Sequence, residues 1–292
     1  MSPLLFIAYM ERVIRDFKAE WRERRRSGVL AYADDIAFWG VEGEDMEEGM
    51  NIWNRCFRRA GMKINIEKTV RMEISRRRAE GMRIEIEGER VKTVESFKYL
   101  GSVFERDGGM EGDVRVRMAR FGGGVRACGP LLRDENVPLK VKKIIYETVL
   151  VPVMTYGAEC WTTTTASRSR IQAAEMRPLR AMIGKSRRDR VRNEYVRNRI
   201  GVSPMIKIIE RSQLRWLGHL ERMEEGRMAR RWWVWRPEGG RRPRGRPRKR
   251  WRDEVEGVLE RNGLPELEEL RRSEDFQDRE EWRKRLRQLT GD

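Results

Sequence analysis

The stretch that decides the fold reads Val29-Leu30-Ala31-Tyr32-Ala33-Asp34-Asp35-Ile36-Ala37-Phe38-Trp39. Two adjacent carboxylates separate two short apolar runs, which are rich in β-branched and aromatic residues and are bracketed by glycines. Such runs predict paired strands, so the stretch is interpreted as a β-hairpin with an acidic tip. Asp-Asp is acceptable in a tight turn, so a purely structural hairpin is one interpretation. The other is a metal site, because adjacent ionised carboxylates repel each other and a divalent cation offsets that repulsion.

Composition indicates what such a site would act on. The 292 residues include 64 Lys and Arg against 47 Asp and Glu, a formal net charge of +17 that predicts a polyanionic partner, by default nucleic acid. Three widely spaced cysteines and one histidine exclude a disulfide framework and a zinc site built within the chain. We therefore expect an intracellular protein without a disulfide-linked partner. No apolar stretch approaches the length of a membrane span, so no membrane partner is expected.

The first hundred residues predict an α+β fold, with two helices packed on one side of an antiparallel sheet. One helix is indicated by apolar residues from Phe6 to Trp21 at three- and four-residue spacing, and a second runs from about Asp45 to a stop at Gly61. Residues 62–69 alternate like a strand entering a loop. Further strands are predicted near 82–86 and 91–104, joined by a turn at residues 87–89.

The rest of the chain is predicted to be helical and basic. A helix over about 112–132 should be weakened or kinked by its three consecutive glycines, 122–124. Pro138 should start the next helix, and helices are also predicted over 171–183 and 204–223. Two charged helices, 251–262 and 266–289, could dock on the preceding region or remain loosely attached. The expected buried stripe of the helix after Pro138 consists of Val141, Ile144, Ile145, Thr148 and Val149.

Four stretches in order resemble the reverse transcriptase of non-LTR (LINE-type) retrotransposons. Ser2-Pro3-Leu4-Leu5-Phe6 resembles the end of that family's template-contacting motif, and Tyr32-Ala33-Asp34-Asp35 resembles its catalytic box. The segment 61–69, which includes Lys68, resembles the following palm motif. Phe97-Lys98-Tyr99-Leu100-Gly101 resembles the primer-grip strand. The joint match covers about the first 105 residues well and the remainder more loosely.

The resemblance implies a role for each matched residue. Asp34 would bind catalytic Mg²⁺, Asp35 would be the supporting carboxylate, and Tyr32 would pack by the primer end unless it is a core residue. Lys68 would protonate the departing pyrophosphate, unless it is an ordinary solvated lysine. The primer 3′ end would be held by Phe97, Tyr99, Leu100 and Gly101, which otherwise form a core strand with a close-packed glycine. The implied partners are an RNA template and a DNA primer.

The family also has features that are expected to be missing here. Its palm uses a further aspartate from a strand well upstream of the Ser-Pro segment, and its fingers also precede that segment. The resemblance therefore implies a C-terminal fragment that is inactive alone, with a catalytically dead nucleic-acid-binding remnant and an unstable pseudogene product as alternatives. Its expected parts are a partial palm (1–105), a helical thumb-like region (106–200), a helical C-terminal region (201–235), a basic linker (236–250) and charged C-terminal helices (251–292).

The basic linker contains a second candidate site. Proline and glycine disfavour regular structure in residues 236–250, and the eight Lys and Arg there repel one another. Its centre, Pro243-Arg244-Gly245-Arg246-Pro247, followed by Arg248, resembles an AT-hook that lies in the narrow minor groove of A·T-rich DNA. A nuclear-import patch and a soluble tether are the alternatives. With a nucleic-acid partner, the expected location is nuclear.

Overall fold

The computed structural model describes residues 3–21, 28–40, 43–74, 83–235, 249–273 and 275–289. These residues form an α+β structure that divides into two compact units. The first unit comprises Met1–Lys98 and Glu105–Gly108, and the second comprises Tyr99–Phe104 and Gly109–Asp292. The chain passes between the units near residue 100. The assignment of the five sequence regions to a partial palm, a thumb, a C-terminal region, a linker and C-terminal helices stays a prediction.

The first unit packs two helices against short strands. Helix α1 (Pro3–Glu20) and helix α2 (Gly43–Arg59) confirm the two predicted amphipathic helices, and Gly61 follows α2 with the left-handed φ of 67° expected of a helix stop. Their apolar faces meet in a buried cluster in which the rings of Phe17 and Trp53 stack with centroids 3.9 Å apart. Val29 joins this cluster from the predicted hairpin, so the base of that hairpin is anchored in the core.

The strands of the described residues form two-stranded sheets instead of the one antiparallel sheet that the sequence predicts. Strands β1 and β2 pair antiparallel, as do β4 and β5, whereas β3 pairs with β6 in parallel. The strand predicted at the start of residues 62–69 is wrong, whereas the loop predicted after it is a turn that Asn65 stabilises with its side-chain and backbone oxygens. The strands are β1 (Gly28–Tyr32), β2 (Asp35–Trp39), β3 (Val70–Arg71), β4 (Glu85–Ile86), β5 (Glu89–Arg90), β6 (Lys92–Thr93), β7 (Ser96–Tyr99) and β8 (Ser102–Glu105).

The second unit is helical. Its helices enclose two buried apolar clusters, one formed mainly by α3 to α8 and one by α8 with the helices that follow it. A π-helical segment, Tyr146–Leu150, continues α4 into α5. The helices are α3 (Glu111–Arg133), α4 (Leu139–Ile145), α5 (Val151–Thr155), α6 (Thr165–Met182), α7 (Asn193–Ile200), α8 (Met205–Glu221), α9 (Met228–Val234), α10 (Trp251–Arg261), α11 (Leu267–Arg272) and α12 (Arg279–Gln288).

Helix α3 runs without a break through its three glycines, and Val114, Phe121 and Leu132 hold it to the core on both sides of them. That these glycines weaken or kink the helix stays a prediction. The stripe predicted after Pro138 is not buried: Val141, Ile144, Thr148 and Val149 are exposed and Ile145 is half-buried. The buried positions are instead Lys142, Tyr146 and Leu150.

The charged C-terminal helices are docked. Trp282 of α12 is buried, donates its indole N–H to the backbone oxygen of Leu214 at 3.1 Å, and lies so close to Gly218 that a Cβ there would be 2.4 Å from the indole nitrogen. Of the expected linker, only Lys249 and Arg250 are described, and Lys249 pairs with the buried Glu254. Among the helices of the described residues, none is both long and apolar enough to cross a membrane.

Candidate functional site

The acidic hairpin has an exposed tip on a buried base. Tyr32 pairs with Asp35 in the β1–β2 register, so Ala33 and Asp34 form a two-residue loop. Ala33 has a φ of 52°, a left-handed conformation that is unusual for a residue with a Cβ. Val29 is buried at the base, whereas Asp34 and Asp35 are exposed. The prediction of an acidic hairpin tip is confirmed, and its geometry presents both carboxylates to solvent.

Tyr32 also belongs to this exposed tip. Its side chain is 66% exposed, so the interpretation of Tyr32 as a core residue is wrong. Because Tyr32 and Asp35 are directly opposite in an antiparallel pair, their side chains lie on the same face of the hairpin. An exposed aromatic ring beside a carboxylate can stack on a base or sugar while the carboxylate binds a cation.

The donor set at the tip is incomplete as a metal site. Asp34 and Asp35 supply the carboxylate oxygens that Mg²⁺ prefers. Within the described residues, however, no group of three or more His, Cys, Asp or Glu side chains is placed to hold a metal ion. Two carboxylates alone do not enclose a pair of metal ions.

Lys68 lies in a turn stabilised by Asn65. The Asn65 side-chain oxygen accepts a hydrogen bond from the Lys68 backbone N–H at 3.1 Å, and the Thr69 hydroxyl donates to the Asn65 carbonyl at 2.7 Å. The Lys68 side chain is exposed, and its ammonium group has no hydrogen-bond or ion-pair partner among the residues that the structure describes. The structure therefore does not bring Lys68 into contact with Asp34 or Asp35.

The turn of the predicted primer-grip strand belongs to the second unit and is firmly supported there. Leu100 and Gly101 connect β7 to β8, with left-handed φ values of 46° and 88°. The Tyr156 hydroxyl donates a hydrogen bond to the Leu100 carbonyl at 2.7 Å, and Arg117 donates to the Gly101 carbonyl. A Cβ at Gly101 would lie 3.2 Å from the Tyr156 ring, which confirms the interpretation of a close-packed glycine.

The buried carboxylate of Asp113 supports the Leu100-Gly101 turn. Asp113, with 1% of its surface exposed, accepts hydrogen bonds from the Val103 backbone N–H at 3.0 Å and from the Trp161 indole at 2.8 Å. The Arg117 guanidinium lies over the Tyr156 ring, 4.4 Å from its centroid. Sequence reasoning missed this network, because Arg117 reads as one more cation on a basic helix. The sequence signal was the four-residue spacing of Asp113, Arg117 and Phe121, which places them on one face of a helix. The structure buries all three.

The remaining predicted residues have less defined surroundings. Phe97 and Tyr99 are half-buried in β7. Phe97 falls in the first unit and residues 99–101 fall in the second. The predicted DNA-binding residues Arg244, Arg246 and Arg248 lie outside the described residues, as does Ser2.

Comparison with known proteins supports the class that the hairpin indicates. Residues 1–104 match the family described as reverse transcriptase (RNA-dependent DNA polymerase). The chain is therefore reverse-transcriptase-like over its first 104 residues. It is also 24% identical over 170 residues to a Caenorhabditis elegans protein named as an uncharacterized transposon-derived protein; the alignment covers 56% of this chain and 59% of that relative. No solved structure matches the chain.

Proposed function

We propose that this chain is a part of the RNA-directed DNA polymerase of a non-LTR (LINE-type) retrotransposon. The observation that carries the proposal is the exposed Tyr32-Ala33-Asp34-Asp35 hairpin tip inside the reverse-transcriptase-like region. The first unit would be a partial palm and the second a thumb with appended helices. The substrates would be an RNA template, a DNA primer and deoxynucleotides, and the protein would act in the nucleus.

In this proposal each site residue has a distinct task. Asp34 and Asp35 would supply carboxylate ligands for Mg²⁺, and at least one further acidic ligand has to come from outside the described residues. Lys68, whose ammonium group has no partner within the described part of the chain, would be the proton donor to pyrophosphate. The Leu100-Gly101 turn would contact the primer end, held in shape by the hydrogen bonds from Tyr156 and Arg117.

A second candidate function is nucleic-acid binding without catalysis. It is favoured by the two-carboxylate tip, which within the described part of the chain has no third acidic ligand. It is also favoured by the net charge of +17, which would attract a polyanion whether or not chemistry follows.

Metal binding at the hairpin can be tested without any reaction. Mn²⁺ added to the isotope-labelled full chain should broaden the amide resonances of residues 32–36 through its unpaired electrons, and Asp34→Asn/Asp35→Asn should abolish this broadening. The matched control is Glu224→Gln/Glu225→Gln, which changes another adjacent and exposed acidic pair. Broadening near Asp34 that persists in the hairpin variant would refute its role as a metal ligand.

Catalysis is tested on a primed RNA template. Magnesium-dependent incorporation of deoxynucleotides that disappears in Asp34→Ala would support the polymerase proposal for this chain itself. Salt-sensitive binding of the same template without incorporation would support the second candidate. A chain that neither incorporates nucleotides nor binds the template would contradict both.

A further inference from the structure

Helix α3 carries a repeated pair of glycine and arginine. Gly122 precedes Arg126 by four residues, and seven residues later Gly129 precedes Arg133 by four. A Cβ at Gly122 would lie 3.9 Å from Nη1 of Arg126, and a Cβ at Gly129 would lie 3.0 Å from Nη1 of Arg133. Both guanidinium groups therefore point toward the N-terminus of the helix, and each lies over a glycine. Glycine destabilises a helix interior, and at Gly129 room for the Arg133 guanidinium is a reason for its presence, whereas a Cβ at Gly122 would be in ordinary contact with Arg126.

These arginines line a small cleft within the second unit. Arg126 and Arg133 from α3 and Arg177 from α6 surround a cavity of about 110 Å³. The other lining residues are glycine or apolar, among them Leu132 and Pro178, and no carboxylate lines it. Three arginines thus line one concave surface, and none of its lining residues is acidic.

Among the residues that the structure describes, the guanidinium groups of these three arginines have no hydrogen bond or ion pair, whereas Arg168 and Arg197 of the same unit pair with the buried Glu210 and Glu175. Like charges that share a site repel, and a bound anion removes that repulsion. The cleft is therefore arranged for a negatively charged ligand.

We propose that this cleft binds a phosphate group. A guanidinium group presents its N–H donors as a planar fork that matches the oxygens of phosphate, and three such forks exceed what the two oxygens of one carboxylate accept. The phosphate comes either from the backbone of a nucleic acid or from free inorganic phosphate. The site does not involve Asp34 or Asp35, so it goes beyond the polymerase proposal and can stand if that proposal fails.

The first experiment uses inorganic phosphate and the full chain. The Tm should be higher in sodium phosphate than in sodium chloride of equal ionic strength, by about 2 °C or more at millimolar excess. Arg126→Gln/Arg133→Gln/Arg177→Gln should lose this shift. The matched control, Arg115→Gln/Arg120→Gln/Lys140→Gln, removes the same charge from exposed positions of α3 and α4 outside the cleft and should keep it. The control also corrects for the general stabilisation of proteins by phosphate.

The second experiment distinguishes the two sources of phosphate. Fluorescence anisotropy would measure the affinity for a labelled primed RNA template at fixed salt. A loss of about tenfold in the cleft variant, against about threefold or less in the control variant, would assign the cleft to backbone phosphates. Equal losses in both variants together with a phosphate-specific Tm shift would assign it to free phosphate.

A third variant keeps the charge and guards against misfolding. Gly129→Ala places a methyl group where the Arg133 guanidinium lies, and that flexible side chain can move away without disturbing the helix. It should fold at least as well as wild type and still show a smaller phosphate shift. The proposal is overturned if wild type shows no phosphate shift beyond that of the triple cleft variant and the cleft and control variants bind RNA equally well.

Discussion

At the residue scale, both candidate hairpins bend at a residue with a Cβ in a left-handed conformation. Ala33 begins the acidic loop with a φ of 52°, and Leu100 begins the primer-grip turn with a φ of 46°. This conformation costs an L-residue about 1–2 kcal/mol, so the surrounding contacts must hold it in place. At Leu100 those contacts are visible, since Tyr156 and Arg117 bind the carbonyl groups of the turn.

We predict that Leu100→Asn stabilises the second unit by about 0.5–1 kcal/mol. Two successive left-handed residues at a two-residue hairpin loop favour Asn-Gly over Leu-Gly, and the Leu100 side chain is 41% exposed, so little burial is lost. Urea denaturation measures the change. In the control Leu131→Asn, the same substitution falls on an exposed leucine in α3 and should destabilise by a few tenths of a kcal/mol. A destabilised Leu100→Asn variant would contradict the strain assigned to Leu100.

We predict that Asp113→Ala destabilises the second unit by about 3 kcal/mol. The substitution leaves the half-buried N–H of Val103 and the buried indole N–H of Trp161 without an acceptor, and the buried Arg117 without its neighbouring carboxylate. Calorimetry measures the loss, with the exposed Glu135→Ala as the control expected within about 0.5 kcal/mol of wild type. An Asp113→Ala variant as stable as the control would show that the network does not support the turn.

At the element scale, buried carboxylates join helices that are far apart in sequence. Glu210 of α8 accepts hydrogen bonds from Arg168 of α6 and from Arg261 of α10, and Asn262 adds another. Glu254 of α10 accepts from the backbone and hydroxyl of Thr163. These contacts explain why the charged C-terminal helices dock, although their sequence has modest apolar content.

The pKa of Glu210 gives this network a pH dependence. Burial raises that pKa, but the hydrogen bonds from Arg168 and Asn262 outweigh burial and hold it below its usual value. The stabilisation is therefore complete above the unfolded pKa of about 4.3 and is lost as pH falls through the lower folded pKa. We predict that acid unfolding of wild type below about pH 4 is steeper than that of Glu210→Gln.

The same variant should be less stable than wild type near pH 7, by about 2 kcal/mol, because its amide replaces charge-assisted hydrogen bonds. Urea denaturation across a pH series measures both effects. The control is Glu260→Gln, an exposed position on α10. Parallel stability curves for wild type and Glu210→Gln between pH 3 and 5 would refute this role.

The sequence-based prediction of buried positions is wrong where polar side chains lie in the core. In the helix after Pro138, hydropathy favoured Val141, Ile144 and Val149 over Lys142 and Tyr146. The structure buries Lys142 because its ammonium group donates to the Met182 carbonyl at 3.3 Å, and it buries Tyr146 with its hydroxyl 3.5 Å from Glu175. Both partners come from α6, about thirty to forty residues away, so no local pattern indicates them.

At the scale of the whole molecule, the charge of +17 predicts nucleic-acid binding that weakens with salt. Replacing Arg244, Arg246 and Arg248 by Gln should reduce the slope of log K against log salt for duplex DNA by about 2–3 if all three contact phosphates or the minor groove. Filter binding at several salt concentrations measures this slope.

The control for this charge test is Arg279→Gln/Arg283→Gln/Arg285→Gln in α12, which removes the same charge and should change the slope less. Competition with A·T-rich and G·C-rich duplexes separates the AT-hook interpretation from a soluble tether. A slope that is unchanged in the linker variant would show that these arginines do not contact DNA.

The sequence by itself determined the acidic hairpin, the two helices of the first unit, the helical character of the second and the basic charge. These follow from local patterns: apolar periodicity, turn residues and charge counts act between near neighbours in the chain. The tertiary fold sets the separate two-stranded sheets of the described residues, the burial of Asp113, Lys142 and Glu210, and the grouping of three arginines around one cleft. Those features depend on partners many residues away, and a buried polar group is stable only where such a partner lies within hydrogen-bond distance.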